Sequence, residues 1–328
     1  MMKRLLLLTI TAACTLTLKA QSSTLTLTAS IRQTCNLKKW GIPPGNYSGI
    51  TPLGDNRYAV VTDKPTGNGF YEFEIILSPK GKVASAQNLG FRCDSIPAKR
   101  RDMEGIVFLP SANSVFISAE NDQEILEYSL DGQLTGRRLD IPEAFGKNRI
   151  QRNYGFEALA YSPDTHLFWT TTENALLADK RGLGEPVTLR LQSFDEALQP
   201  VSQYEYQTDA PTRDAKKHRF YCFGVPEITA LPDSSLLILE RELYVPKRYF
   251  GAFVTTKIYR TKPSEGSTKT LVTSFRTHLR NLSNYEGMCL GPVLPDGRQT
   301  LLLICDSQDR FGNMYYHLKD RLRVLILK

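Results

Sequence analysis

The chain has 328 residues, with 41 basic and 34 acidic side chains, a formal net charge of +7 and four histidines. The basic residues are scattered rather than striped along one face, which argues against nucleic-acid binding, and histidines without a common spacing give no zinc signature. The sequence has no Gly-x-Ser-x-Gly elbow, phosphate-binding glycine loop or His-Glu-x-x-His helix, so it lacks the marks of α/β-hydrolase, P-loop and zinc-peptidase chemistry.

Residues 1–20 read as a secretory leader: Lys3 and Arg4, the apolar run Leu5 to Ile10, then small residues ending Leu18-Lys19-Ala20. The run is too short to span a bilayer, so cleavage after Ala20 and export to the periplasm or extracellular space are expected, with no transmembrane segment. Ala12-Ala13-Cys14 offers a lipid-attachment alternative, disfavoured because Thr11 stands where such a signal prefers Leu. Loss of the leader lowers the net charge to about +4. Five cysteines follow: Cys35, Cys93, Cys222, Cys289 and Cys305. An odd number leaves at least one thiol unpaired; Cys289 and Cys305, on neighbouring expected strands, are the pair open to a disulfide.

From there the chain repeats itself. An isolated strand, Ser23 to Arg32, alternates apolar and polar residues with a period of two. Next come five copies of one layout, a short apolar run opened by a polar or acidic residue, a turn, and a second run closed by an acid. They start at Ser48, Glu104, Glu157, Glu227 and Glu286, spaced 53 to 70 residues apart, and close at Asp63, Glu120, Glu173, Glu240 and Asp306. Further strands follow each pair, at 71–77 and 83–89, 124–130 and 134–139, 187–192 and 203–207, and 255–260 and 269–273. The fifth copy supplies only one more, at 321–327.

A strand missing at the C-terminus and a spare one at the N-terminus predict an all-β fold, a β-propeller whose last blade the N-terminal strand closes. Residues 21–328 then form one domain of five blades, with room for a sixth in 174–220. Closure removes exposed edges and predicts a monomer.

In a propeller the first strand of each blade lines the central channel, so Glu104, Glu157, Glu227 and Glu286 are expected to converge on one mouth. The second-strand acids return to the same face because antiparallel strands reverse direction. So many carboxylates need a cation, basic neighbours or raised pKa values. Hard oxygen donors suit Ca²⁺, and Glu104, Glu157, Glu227, Glu286, Glu240 and Asp306 are the candidate ligands. Glu286, Glu227 and Arg241 are the candidate catalytic residues, and Arg101, Lys247 and Arg248 the candidate binders of a small anionic ester or phosphate ester. Of the second-strand acids, Asp63 and Glu173 read as architectural, whereas Glu240 and Asp306 read as functional. Tyr244, Tyr249 and Phe250 are expected to border a pocket. Asn46-Tyr-Ser48 and Asn281-Leu-Ser283 match the glycosylation pattern.

The segments Glu104-Gly-Ile, Gly155-Phe-Glu157-Ala-Leu, Pro226-Glu227-Ile, Leu239-Glu240-Arg241 and Tyr285-Glu286-Gly-Met-Cys-Leu-Gly-Pro with Leu-Leu-Leu-Ile-Cys-Asp306 resemble the phytase-like family described by an esterase-like activity of phytase. The resemblance spans roughly residues 45 to 328 and implies a secreted propeller with ester or phosphoester hydrolysis. The family commonly has two acids after the last repeat's second strand, where this chain has Asp306-Ser307-Gln308, one carboxylate fewer. The Arg-His-Gly signature of histidine acid phosphatases does not occur. Two other functions remain open: a non-catalytic cell-envelope binding or scaffold propeller with structural acids, and a metal-dependent sugar lactonase, which would need inner-strand Asn ligands that the sequence does not offer.

Overall fold

The period-two alternation of the repeats becomes five antiparallel sheets of four strands each. The structure, a computed structural model, describes residues 26–64, 67–93, 101–180, 182, 184–213, 218–266, 268–312 and 317–328. The expected leader, the lipid-attachment alternative at Cys14 and part of the basic stretch at 213–219 lie outside these residues.

In chain order, β1 (Ala29–Asn36) precedes blade one, which is β2 (Tyr47–Gly54), β3 (Arg57–Thr62), β4 (Gly69–Leu77) and β5 (Val83–Cys93). Blade two is β6 (Met103–Leu109), β7 (Ser114–Ala119), β8 (Ile125–Ser129) and β9 (Leu134–Arg138). Blade three is β10 (Phe156–Ser162), β11 (Leu167–Thr172), β12 (Thr188–Phe194) and β13 (Pro200–Gln207). Blade four is β14 (Phe220–Ala230), β15 (Leu236–Val245), β16 (Phe253–Thr261) and β17 (Lys269–His278). Blade five has β18 (Asn284–Val293), β19 (Gln299–Asp306) and β20 (Arg321–Leu327), and β1 pairs antiparallel with β20 to complete it.

The fold is thus a five-bladed β-propeller closed by its N-terminal strand. Residues 174–187 and 208–219 connect strands and add no sixth sheet among the described residues. The closing strand runs over Ala29–Asn36. Its ladder with β20 begins at Ala29↔Leu327, and Thr28 and Lys328 extend it by exchanging backbone hydrogen bonds at 3.0 and 2.8 Å; residues 23–25 of the expected strand lie outside the described residues.

An apolar cluster fills each wedge between successive blades. Val60 and Ile304 meet between blades one and five, Val61 and Ile106 between one and two, and Phe116 and Phe156 between two and three. Ala158 and Ile238 meet between three and four, and Leu239 and Leu303 between four and five. Each fully buried Leu, Ile or Phe contributes on the order of 1.5–3 kcal/mol. Cys289 packs in the wedge with blade one and Cys305 in the wedge with blade four, on opposite faces of the same sheet. That placement corrects the disulfide expectation, and all five cysteines are free thiols. Asn46 is also buried, with its amide nitrogen donating to Asp309 Oδ1 at 2.8 Å, so it is not presented for glycosylation; Asn281 is exposed.

The inner strands β2, β6, β10, β14 and β18 ring the axis, each beside the next. Each also carries one extra residue relative to its partner strand, near its start in four of them and mid-strand in β14. Such a bulge bends the strand and re-aims the side chain it carries. Glycine follows it where the ring is tightest: a Cβ on Gly105 would run into the carbonyl of Glu157, and one on Gly49 into that of Glu104.

Candidate active site

The bulges decide which residues face the mouth. From the pairing registers, Ser48, Glu104, Glu157, Val225 and Glu286 hold corresponding places in the five inner strands. Three glutamates are therefore turned toward the axis at one end, and the ends of the second strands bring Asp63, Glu120, Glu173 and Asp306 beside them. Asp102 joins from the residue before β6, where a left-handed backbone (φ 61) and a hydrogen bond from Glu120 N to its carbonyl at 2.9 Å hold it. Carboxylate oxygens of Asp102, Glu104 and Glu120 all lie within 4.8 Å of one another.

One guanidinium sits among these acids. Arg241, 2% exposed, donates from Nη1 to Glu286 Oε1 at 2.8 Å and to Asn284 Oδ1 at 3.1 Å, and from Nη2 to Glu173. Asn284 Nδ2 donates to the same Glu286 oxygen at 2.7 Å, and the Cys222 thiol donates to Glu173 Oε1 at 3.2 Å. Glu120 accepts from Gly155 N at 2.7 Å, and Asp306 from Gln308 N at 2.7 Å. At the rim, Lys64 pairs with Asp309 at 2.6 Å and reaches Asp63 at 3.7 Å. Two polar atoms are buried without a partner here, Asp63 Oδ1 and Arg241 Nε.

Eight carboxylates thus face Arg241 and Lys64, and their proton affinities register the imbalance. Burial, then Glu120, Asp63, Glu286 and Asp102, pushes Glu104 well above the ordinary carboxylate range. Burial and Glu173 do the same to Glu157, and burial and Glu286 to Asp306. Asp63, Glu120 and Glu286 are each pushed up to about 7, by burial first and then by neighbouring carboxylates. For Glu286 the attraction of Arg241 works against the rise. Glu104 and Glu157 keep part of their surface on the channel, yet protein rings their carboxyl groups. The set is an oxygen-rich, undercompensated pocket of the kind a hard divalent cation fits.

Other residues named from sequence lie elsewhere. Glu227 is two positions beyond Val225, the blade-four counterpart of the ring glutamates, is 1% exposed, and accepts backbone N–H groups of Leu159 at 3.2 Å, Ile228 at 2.9 Å and Met288. It ties three inner strands together below the mouth, and burial raises its pKa with no ring acid among the causes. Glu240 takes the opposite face of β15 from Arg241, where it accepts from Tyr206 Oη at 2.6 Å and Asp209 N at 3.0 Å and pairs with Lys269. Arg101 is buried against Asp122, the Tyr128 hydroxyl and the Glu124 carbonyl, so its charge is already matched inside blade two. Lys247 and Arg248 are exposed on the loop between β15 and β16. Tyr244 stacks on Phe253 and Tyr249 on Phe311, while Phe250 is 79% exposed. Glu173, expected to be architectural, pairs with Arg241 at the mouth. Asp102, Lys64 and Asn284 complete the mouth and were not among the candidates; only the proximity of Asp102 to Glu104 in the chain hinted at any of them.

The family model described as "Phytase-like: Esterase-like activity of phytase" matches residues 42–308. The search of curated proteins gives no match. Among solved structures, a streptogramin B lyase is similar at 13% identity and TM-score 0.40, covering 93% of this chain and 99% of its own. The endo-arabinase of Bacteroides thetaiotaomicron is similar at 10% identity and TM-score 0.47, covering 87% and 94%. At these scores neither likeness adds to the strand-by-strand description.

Proposed function

The chain belongs to the phytase-like family, and on that premise we propose that it is an exported hydrolase of small anionic esters, phosphate esters first among them, working at the acidic mouth with the help of Ca²⁺. The observation that carries this reading is the charge imbalance: eight carboxylates around one buried guanidinium, three of them poised near neutrality. Asp102, Glu104 and Glu120, with the unpartnered Oδ1 of Asp63 nearby, are the residues that would hold the cation. Bound there, it supplies Lewis acidity, polarising an ester oxygen and making water a better nucleophile.

The chain's own groups do the rest. Glu286, with its pKa near 7, is matched to accept a proton at neutral pH, and Asn284 and Arg241 fix the oxygen that does not take it. Arg241 is already desolvated and oriented, so negative charge developing beside it meets a fixed positive group without reorganisation. The leader read at residues 1–20 supports export, and no helix among the described residues is long and apolar enough to cross a membrane.

The test is turnover of model phosphate and carboxyl esters, with Ca²⁺ and after chelation. Calcium-dependent turnover that Glu286→Gln removes supports the reading; absence of turnover under every metal condition sinks it. The architectural roles of Glu227 and Glu240 favour a second reading, a non-catalytic envelope scaffold. Under it, ring substitutions change the melting temperature alone.

A further inference from the structure

Beside the mouth, between blades five and one, lies an arrangement that the hydrolysis reading does not use. Gln308, Asp309 and Arg310 are consecutive non-glycine residues with left-handed backbones, φ 46, 53 and 59. Left-handed backbone is unfavourable for residues with a Cβ, and strain of this kind persists where the surroundings enforce it. Asn46 enforces it here: its Oδ1 accepts from Asp309 N at 2.8 Å and from Ser307 Oγ at 3.0 Å, and its Nδ2 donates to Asp309 Oδ1 at 2.8 Å. The turn distributes its side chains. Gln308 goes to Asp306 in the mouth, Asp309 to Lys64 on the rim, and Arg310 to a separate groove of about 560 Å³.

Lys38, Arg310, His317 and Lys319 line that groove, and Ile42, Pro43 and Pro44 give it an apolar wall. Arg280 and Arg321 stand behind Lys319, whose Nζ donates to the Arg280 carbonyl at 3.4 Å while Arg321 Nη2 donates to it at 2.8 Å. The one carboxylate among the described residues of the lining, Asp320, is turned away to Gly45 N at 3.3 Å and to Asn46 and Ser307. Lys319 feels the crowding: partial burial, then Arg321, Arg280 and Arg310, hold its pKa below the ordinary lysine value. Lys38, Arg310 and Lys319 gather with no carboxylate but Asp320 among the described residues of the lining, the mark of an oxyanion site, since arginine and lysine donate charge-assisted hydrogen bonds to phosphate.

We propose that this basic groove binds a phosphate group carried on an organic body, the phosphate held by Lys38, Arg310 and Lys319 and the body lying on the exposed Pro43 and Pro44. The volume is many times the roughly 30 Å³ share of a water-sized molecule and falls in the range of small-molecule sites. Binding here does not depend on whether the mouth hydrolyses anything. A free phosphorylated small molecule and a phospholipid headgroup share the chemistry, and the test separates them.

Full-length protein is stripped of metal, desalted and titrated calorimetrically with inorganic pyrophosphate at low ionic strength. The metal-free mouth is acidic and repels the probe, so binding reports the groove. Wild type binds, more weakly as salt rises, and Lys38→Gln and Arg310→Gln each weaken binding on the order of tenfold. Both side chains are exposed, and an unchanged melting temperature verifies the fold. Co-sedimentation with phosphatidylcholine vesicles only when they contain phosphatidate identifies a headgroup; pyrophosphate binding without co-sedimentation identifies a free phosphorylated ligand. No binding by wild type, or equal binding by both variants, overturns the proposal.

Discussion

The two ends of the channel are built from the same five strands, yet one end is lined by carboxylates and the other by hydrocarbon. Past the bulges, β2, β6, β10, β14 and β18 present Ile50, Ile106, Leu159, Ile228 and Met288 to a cavity of about 200 Å³, with Pro52, Pro110 and Pro163 at its edge. Before and at the bulges, the same strands present Glu104, Glu157 and Glu286. One inserted residue per strand separates the chemistries, because a strand's side chains alternate faces and a single-residue offset exchanges them. Glu227 stands between, a buried carboxylate that spends its oxygens on backbone N–H groups from three blades. The propeller thus assembles a rigid apolar end that holds the strands and an electrostatically crowded end that they would not otherwise tolerate.

The comparison breaks most severely at Arg241. It is the buried cation of the acidic end, and Arg241→Ala leaves Glu173 and Glu286 without it. Breaking a buried pair by removing one partner costs about 3–5 kcal/mol. We expect a loss of that size in denaturant unfolding near neutral pH, partly recovered at pH 5 where the exposed repulsion is protonated away. Under the hydrolase proposal, turnover of ester substrates is expected to be lost as well. A variant as stable as the wild type would mean that the ring acids are neutral without Arg241.

Glu227 tests the boundary between the ends. Glu227→Leu leaves backbone donors of Leu159, Ile228 and Met288 unsatisfied, at about 1–3 kcal/mol for each, a loss offset in part because a carboxyl group no longer has to be buried. The expected signature is a lower denaturation midpoint with turnover per folded molecule and calcium response unchanged. Loss of turnover at unchanged stability would move Glu227 into the chemistry.

The repeat, the blade count and the N-terminal closure were legible because each rests on local alternation and on counting strands. The acidic mouth was legible as a location for the same reason. The roles within it were not, because they depend on register. Pro226-Glu227-Ile reads like Glu104-Gly-Ile, but the blade-four bulge falls on Val225-Pro226, so the matching glutamate lands two residues too deep. Glu240 and Arg241 are adjacent on β15 and cannot share a face; sequence alone does not say which faces the axis. Arg101 looked like a free cation because its partner Asp122 lies 21 residues on and meets it only through the hairpin of blade two. Asp102 reaches the mouth through a left-handed backbone that no apolar pattern encodes.

An effect that needs no substitution sharpens the comparison furthest, because it distinguishes the ends by pH and calcium alone. In the metal-free protein, Asp63, Glu120 and Glu286 titrate near 7, whereas in the unfolded chain they titrate near their ordinary values of 3.8 and 4.5. The folded state then binds protons more tightly than the unfolded state. Its stability from these groups is fully present below pH 4 and is lost as pH rises through 7. If the ring holds calcium as proposed, the ion competes with those protons, and we expect the melting temperature to be unchanged by it at pH 5. At pH 8 the expected gain on the ionised ring is about 2.7 kcal/mol at a hundredfold excess over the dissociation constant. Differential scanning calorimetry at the two pH values, with calcium and with chelator, reads both effects. Glu104→Gln removes the calcium increment and leaves a smaller pH slope, while the apolar end contributes nothing to either. A calcium increment of equal size at pH 5 and pH 8 would place the cation somewhere other than this ring.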